Sequence, residues 1–224
     1  MKRAKQVSES LELGILLALA GGFMDAYSYV CRGHVFANAQ TGNVLLLGVN
    51  VARGDWASAA RYFCPIASFV CGIAIADVIR FHMKDKSVIH WRQISVVFEA
   101  AALASVGFMP QSANLLANSL TSFACGVQVE SFRKMHGDGM ATTMCIGNLR
   151  SATQSIGEYW RTRDLASAER GAMYFCVILF FALGAVIGDA CVRLWAERAI
   201  VFCGAFLLAA FALMFVDKEK KGRR

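Results

Sequence analysis

Eight apolar runs follow one another almost without interruption, over roughly 11–30, 44–52, 59–81, 94–109, 115–132, 140–157, 172–193 and 199–216. No soluble core is large enough to hide so much apolar chain, and a bilayer accepts it only where each backbone N–H and C=O is satisfied internally. At about 1.5 Å per residue and about 30 Å of hydrocarbon, most of the runs can cross as helices. The spacing therefore predicts an all-α, polytopic membrane helical bundle. Trp56, Trp91, Trp160 and Trp195 all fall in gaps between runs, which suits the headgroup level that tryptophan favours. With 57% hydrophobic and only 17% charged residues, an ordinary soluble domain is excluded. The 224 residues leave no room for a separate soluble domain, so residues 1–224 are expected to form a single integral membrane domain.

The net charge of +7 has two readings, and placement separates them. Lys2, Arg3 and Lys5 precede the first run, and Lys218, Lys220, Lys221, Arg223 and Arg224 follow the last. Basic tails at 1–10 and 217–224 are what a positive-inside membrane protein carries. Nucleic acid is not an expected partner; the lipid bilayer is. The 8 cysteines lie in or beside apolar runs without a C-x-x-C pair or a histidine at ligand spacing, and so read as small hydrophobes. No metal, cofactor or catalytic motif accompanies them, and an enzyme is not expected. Ala18-Leu19-Ala20 resembles a signal-peptide cleavage site, but the apolar run continues past it and its sequence returns later, so it is kept as the first helix.

That return is the strongest organising signal. Tyr62-Phe63-Cys64, Ile66, Phe69, Gly72, Ile75 and Asp77 reappear 112 residues later as Tyr174-Phe175-Cys176, Ile178, Phe181, Gly184, Ile187 and Asp189. Upstream, Gly42-Asn43 matches Gly147-Asn148 at an offset of 105, which also carries Gly21 onto Gly126 and Asp25 onto Glu130. The chain reads as two repeats, about 11–109 and about 112–216.

Topology turns on the two polar Gly-Asn segments. If they span, the repeats are parallel and the basic stretch 80–92 lies outside with the N-terminus inside, against the positive-inside tendency. If they dip in and return, six helices span and the repeats are inverted. Both termini, 80–92 and 133–170 then face the cytoplasm. Arg32, Arg53 and Arg61 remain as outside exceptions. The expectation is therefore six spanning helices plus two short re-entrant or broken Gly-Asn segments.

Irregular polar backbone within a bilayer marks a protein-lined or water-filled interior. Thr41, Gly42 and Asn43, with Asn38 before them, form the first candidate site; Thr143, Gly147 and Asn148 form the second. Each polar turn is placed to begin a half-helix whose free N–H groups face the membrane interior. Asp25 lies deep in the first run and Glu130 is its repeat equivalent. An intramembrane carboxylate serves as a partner, a proton relay or a cation site, and the structural alternative is a bond to the adjacent broken segment, or for Glu130 a reach to Arg133 and Lys134. Gln128 joins the candidates beside it. Asp77 with Arg80 and Asp189 with Arg193 read as within-helix ion pairs. Gly184 and Gly188, with Gly72, permit close helix packing, and Glu99 stands alone without an assignment.

Gly22-Phe23-Met24-Asp25-Ala26, Phe36, Thr41-Gly42-Asn43, Gly126-x-Gln128 and Thr142-Thr143 before Gly147-Asn148 resemble the YoaK-like family of uncharacterised bacterial multi-pass inner-membrane proteins. Val129-Glu130 departs from the Asn-Ala usual in that family, and Ile146 replaces a Thr. The resemblance implies a bacterial inner-membrane protein without an assigned substrate. Together these features lead to the expectation of a small-solute transporter or channel, with Asp25 as the candidate for proton coupling and an unknown small solute as partner. The alternative is a non-transporting membrane scaffold or sensor whose polar residues are structural. A homo-oligomer is allowed by the sequence but nothing in it asks for one.

Overall fold

The computed structural model describes residues 10–83, 91–135, 138–139 and 142–222, and among these the chain is carried by eight α-helices. They are α1 (Leu11–Cys31), α2 (Gln40–Ala52), α3 (Trp56–Met83), α4 (Trp91–Val106), α5 (Asn114–Ser131), α6 (Cys145–Thr162), α7 (Leu165–Trp195) and α8 (Ile200–Gly222). Short 3-10 turns at Gln111–Ala113 and Ala196–Ala199 join α4 to α5 and α7 to α8. A two-residue antiparallel ladder pairs Lys134 with Gly139 and Met135 with Asp138.

Local chemistry sets several helix starts. Ser10 accepts the Leu13 N–H at 3.3 Å before α1, Asp55 the Ser58 N–H at 3.0 Å before α3, and Asp164 the Ala166 N–H at 3.1 Å before α7; each satisfies a donor with no partner inside its helix. The start of α2 differs from the sequence expectation. Thr41, Gly42 and Asn43 do not precede the helix but lie in its first turn, because the Asn43 side chain folds back onto Phe36. Asn43 Nδ2 donates to the Phe36 carbonyl at 2.7 Å, and the Phe36 N–H donates to Asn43 Oδ1 at 3.0 Å. These bonds close the preceding loop and let helical bonding begin at Gln40. At 13 residues, α2 is about 20 Å long, short of a full crossing.

Glycines decide which helices meet. A methyl group at Gly22 would overlap the Phe181 carbonyl oxygen, and one at Gly184 would overlap that of Leu19, so α1 and α7 cross backbone to backbone. The second crossing, α3 on α5, has the same character: Gly72 lies against the Phe123 carbonyl and Gly126 against that of Phe69. Such contact gains dispersion along the whole crossing and leaves no room for a side chain. Further contacts set α2 on α3, α6 on α7, α4 on α8, α1 on α8 and α4 on α5.

The bundle exposes large apolar side chains and buries several polar ones. Phe63, Val70, Phe81, Leu179, Val186 and Leu208 are exposed, whereas Arg32, Asn43, Gln128, Asn118 and Ser122 are buried. An apolar surface over a core that is mostly apolar but also buries polar side chains suits a lipid surround. Leu11–Cys31, Trp56–His82 and Leu165–Met214 are long and apolar enough to cross a membrane. The most apolar stretch of the first is 72% buried and those of the other two 28% and 17%; α1 and α5, each buried along much of its length, are inner helices, and α3 and α7 supply much of the exposed apolar wall. Trp56, Trp160 and Trp195 are exposed.

Candidate functional site

The site is assembled by the crossing of α1 and α7. A cavity of about 710 Å³ opens beside this crossing and is reached by the first residues of both α2 and α6. Asp25 from α1, Asn38, Gln40 and Thr41 at the start of α2, and Thr143 and Gly147 at the start of α6 supply polar lining. The remaining wall is largely apolar, with Tyr29, Phe36, Phe69 and Phe181 contributing rings; Tyr29 and Phe36 stack with centroids 4.9 Å apart. The polar groups of this cavity come from its two helix starts, from Asp25 within α1 and from Asp189 on α7.

Asp25 is bonded chiefly to the backbone. Its Oδ1 accepts the Asn38 N–H at 2.7 Å and the Ala39 N–H at 3.4 Å. The carboxylate thus sits on the donors that lead into α2, where a helix start favours negative charge. Asn38 adds a bond from Nδ2 to the Gly21 carbonyl at 3.2 Å, while its buried Oδ1 has no partner among the described residues. Across the cavity, Thr143 is 3% exposed and its hydroxyl is likewise unpartnered among the described residues. Met144, the capping residue just before α6, makes no capping side-chain bond.

The other expected site residues go elsewhere. Gly42 packs against the Phe36 ring, and Asn43 is the clamp on Phe36 described above. Asn148 is buried in the first turn of α6 behind the lining. Gln128 is buried on α5, where its Nε2 donates to the Leu17 carbonyl at 3.3 Å and its Oε1 lacks a partner among the described residues. Glu130 does not sit as Asp25 does: it is 3.3 Å from both Arg80 and Arg133. Asp77 pairs with Arg80, and Asp189 with Arg193 at 2.8 Å. Asp189 also lines the cavity, a role that its i, i+4 spacing to Arg193 conceals.

Two buried charged side chains carry more than the sequence signals. Arg32, one of the outside exceptions to the charge pattern, is wholly buried at the end of α1. Its guanidinium donates to Tyr27 Oη at 2.8 Å, to the carbonyls of Val106, Met109 and Pro110 at 2.9, 2.9 and 3.3 Å, and to Asn114 Oδ1 at 3.0 Å. It is a clasp between α1 and the α4–α5 link, and reports nothing about the charge of a loop. Glu99 is 1% exposed on α4, within electrostatic reach of the thiols of Cys125 and Cys203, and its Oε1 has no partner among the described residues. All eight cysteines are free thiols, and among the described residues no group of three or more His, Cys, Asp and Glu side chains is arranged to hold a metal.

An apolar-surfaced helical bundle with buried polar groups and two helix starts in one cavity defines an integral membrane protein. The chain belongs to the family described as Protein of unknown function (DUF1275), whose model matches residues 13–213. It is similar to the UPF0700 transmembrane protein YoaK of Bacillus subtilis (strain 168), with 24% identity over 186 residues that cover 77% of this chain and 79% of that protein. No solved structure matches.

Proposed function

We propose that this protein is a small-solute transporter or channel of the bacterial inner membrane, with its solute site in the cavity at the α1–α7 crossing. The observation that carries the reading is that the first turns of α2 and α6, far apart in sequence, line one cavity. Helices that start inside a membrane protein present unpaired N–H groups, and transporters use such ends to hold solutes. Eleven further positions of the lining, including Ala26, Val30, Phe69, Phe181 and Ala185, are apolar or aromatic, which suits a solute with an apolar body.

In this reading the chain is two inverted repeats, α1–α4 and α5–α8, with the short α2 and the 18-residue, more polar α6 as re-entrant segments and the other six helices spanning. The packing supports the division into two repeats. Exchanging α1 with α5, α2 with α6, α3 with α7 and α4 with α8 turns the α1–α7 contact into α3–α5, α2–α3 into α6–α7 and α1–α8 into α4–α5, while α4–α8 maps onto itself. The clasp formed by Arg32 also removes one exception to a cytoplasmic placement of the basic segments and termini.

The competing reading, a non-transporting scaffold or sensor, draws on the commitment of Asp25 and Asn43 to backbone groups. Solute uptake into proteoliposomes separates the two. Filling the cavity through Ala185→Phe is expected to abolish flux while the protein stays folded and monodisperse; unchanged flux of every solute that the native protein carries would overturn the cavity assignment. Impermeant thiol labelling of Ala57→Cys in a cysteine-free background tests the topology. Labelling from the periplasm supports re-entrant α2, and labelling only from the cytoplasm refutes it.

A further inference from the structure

The two helix starts at the cavity are unequal. At α2 the backbone donors of Asn38 and Ala39 already hold a carboxylate, that of Asp25. At α6 the corresponding acid is missing, because Glu130 turns away to Arg80 and Arg133. What the α6 start offers instead is a buried Thr143 hydroxyl with no partner among the described residues, a capping residue, Met144, that makes no side-chain bond, and Gly147, beside which a methyl group would meet nothing within 4 Å. Thr143, Met144, Cys145, Ile146 and Gly147 all line the cavity. The first four N–H groups of any α-helix lack an acceptor within it, and the aligned peptide dipoles add partial positive charge there.

We propose that the start of α6 is a carboxylate site: the cavity takes a monocarboxylic acid with an apolar body, whose carboxylate lies on the Thr143 hydroxyl and the first-turn N–H groups of α6. The inference rests on the reading of this cavity as a solute site, and it says that the solute does at α6 what Asp25 does at α2. The other charges in the lining are accounted for, since Asp25 faces the α2 donors and Asp189 is paired with Arg193 at 2.8 Å. Asp25 lines the same cavity, and its repulsion of a second carboxylate on the occupant limits the occupant to a single negative charge. Phe36, Phe69 and Phe181 provide the apolar surface for its body.

The test is ligand-observed NMR titration of the purified full chain in lipid nanodiscs, with benzoate as probe and benzamide and benzylammonium as matched neutral and cationic comparators. Benzoate is expected to bind saturably and at least about tenfold more tightly than either comparator, the worth of a charge-assisted hydrogen bond. Thr143→Val should weaken benzoate about tenfold and Thr143→Ser should restore it. A second variant, Met144→Asp, places a carboxylate at the capping position itself; it should raise the melting temperature and abolish benzoate binding, as a built-in competitor. Equal or tighter binding of benzylammonium or benzamide overturns the inference, as does undiminished benzoate binding by Met144→Asp or no benzoate binding at all. Vesicle flux separates this from the wider reading: flux of some other solute without benzoate binding sinks only the carboxylate site. Benzoate binding without any flux leaves the site standing and removes the transporter.

Discussion

Replacing Arg32 tests whether a buried charge holds the end of α1 to the α4–α5 link. Arg32→Met keeps a long apolar stem and removes all five hydrogen bonds of the guanidinium. Tyr27 is affected least, because its hydroxyl still donates to the Glu197 carbonyl at 2.9 Å. The carbonyls of Met109 and Pro110 and the Asn114 amide lie in part-buried surroundings and regain water, whereas the Val106 carbonyl is buried. Stranding one buried acceptor costs about 1–3 kcal/mol, and partial losses at the other four add roughly 0.5 kcal/mol each, so the change should cost about 3–5 kcal/mol. That is a large part of a typical stability of about 5–15 kcal/mol. Arg32→Lys should recover less than half, since an ammonium offers three donors from a single point where the guanidinium offers a planar fork. Melting of detergent-solubilised protein, followed by loss of the monodisperse peak on size-exclusion chromatography, reads the effect. A melting point for Arg32→Met within about 2 °C of the native protein would refute the clasp.

Gly22→Ala and Gly72→Ala should each cost about 1–3 kcal/mol by pushing a helix off the Phe181 or Phe123 carbonyl, whereas Gly204→Ala, with open space beside it, should be nearly neutral; equal melting points for all three would show that the crossings yield easily. Glu99→Gln should leave the melting point unchanged or raise it, because a buried carboxyl with no ion pair among the described residues gains nothing from its charge; a marked fall would point to a charged partner for Glu99. Hydrogen bonds from Ser58 hold the Asp55 carboxyl below its ordinary value of 3.8. Its contribution is therefore present above that value and lost as the pH falls through the lower folded-state value, so the melting-point gap between native protein and Asp55→Ala should persist at neutral pH and close only in strong acid. A gap that closes near neutrality would refute the assignment.

The sequence by itself determined those features that act over a few residues or over composition. An unbroken series of apolar runs admits only helices in lipid, and the breaks at Gly42-Asn43 and Gly147-Asn148 mark where two helices begin. The ion pairs Asp77–Arg80 and Asp189–Arg193 follow from three- and four-residue spacing on a helix, and the structure contains both. Helix ends were less legible: Asn43 bonds back across seven residues to Phe36, so α2 starts before the apolar run does. Only the tertiary structure decided which helices cross, because bare backbone at Gly22, Gly72, Gly126 and Gly184 has no side chain to announce its partner. Those crossings bring the α6 start to the cavity beside Asp25, send Glu130 to Arg80 on α3, and carry the α4–α5 link over Arg32. Such contacts join residues tens of positions apart through the approach of two backbones, and local spacing holds no record of that approach.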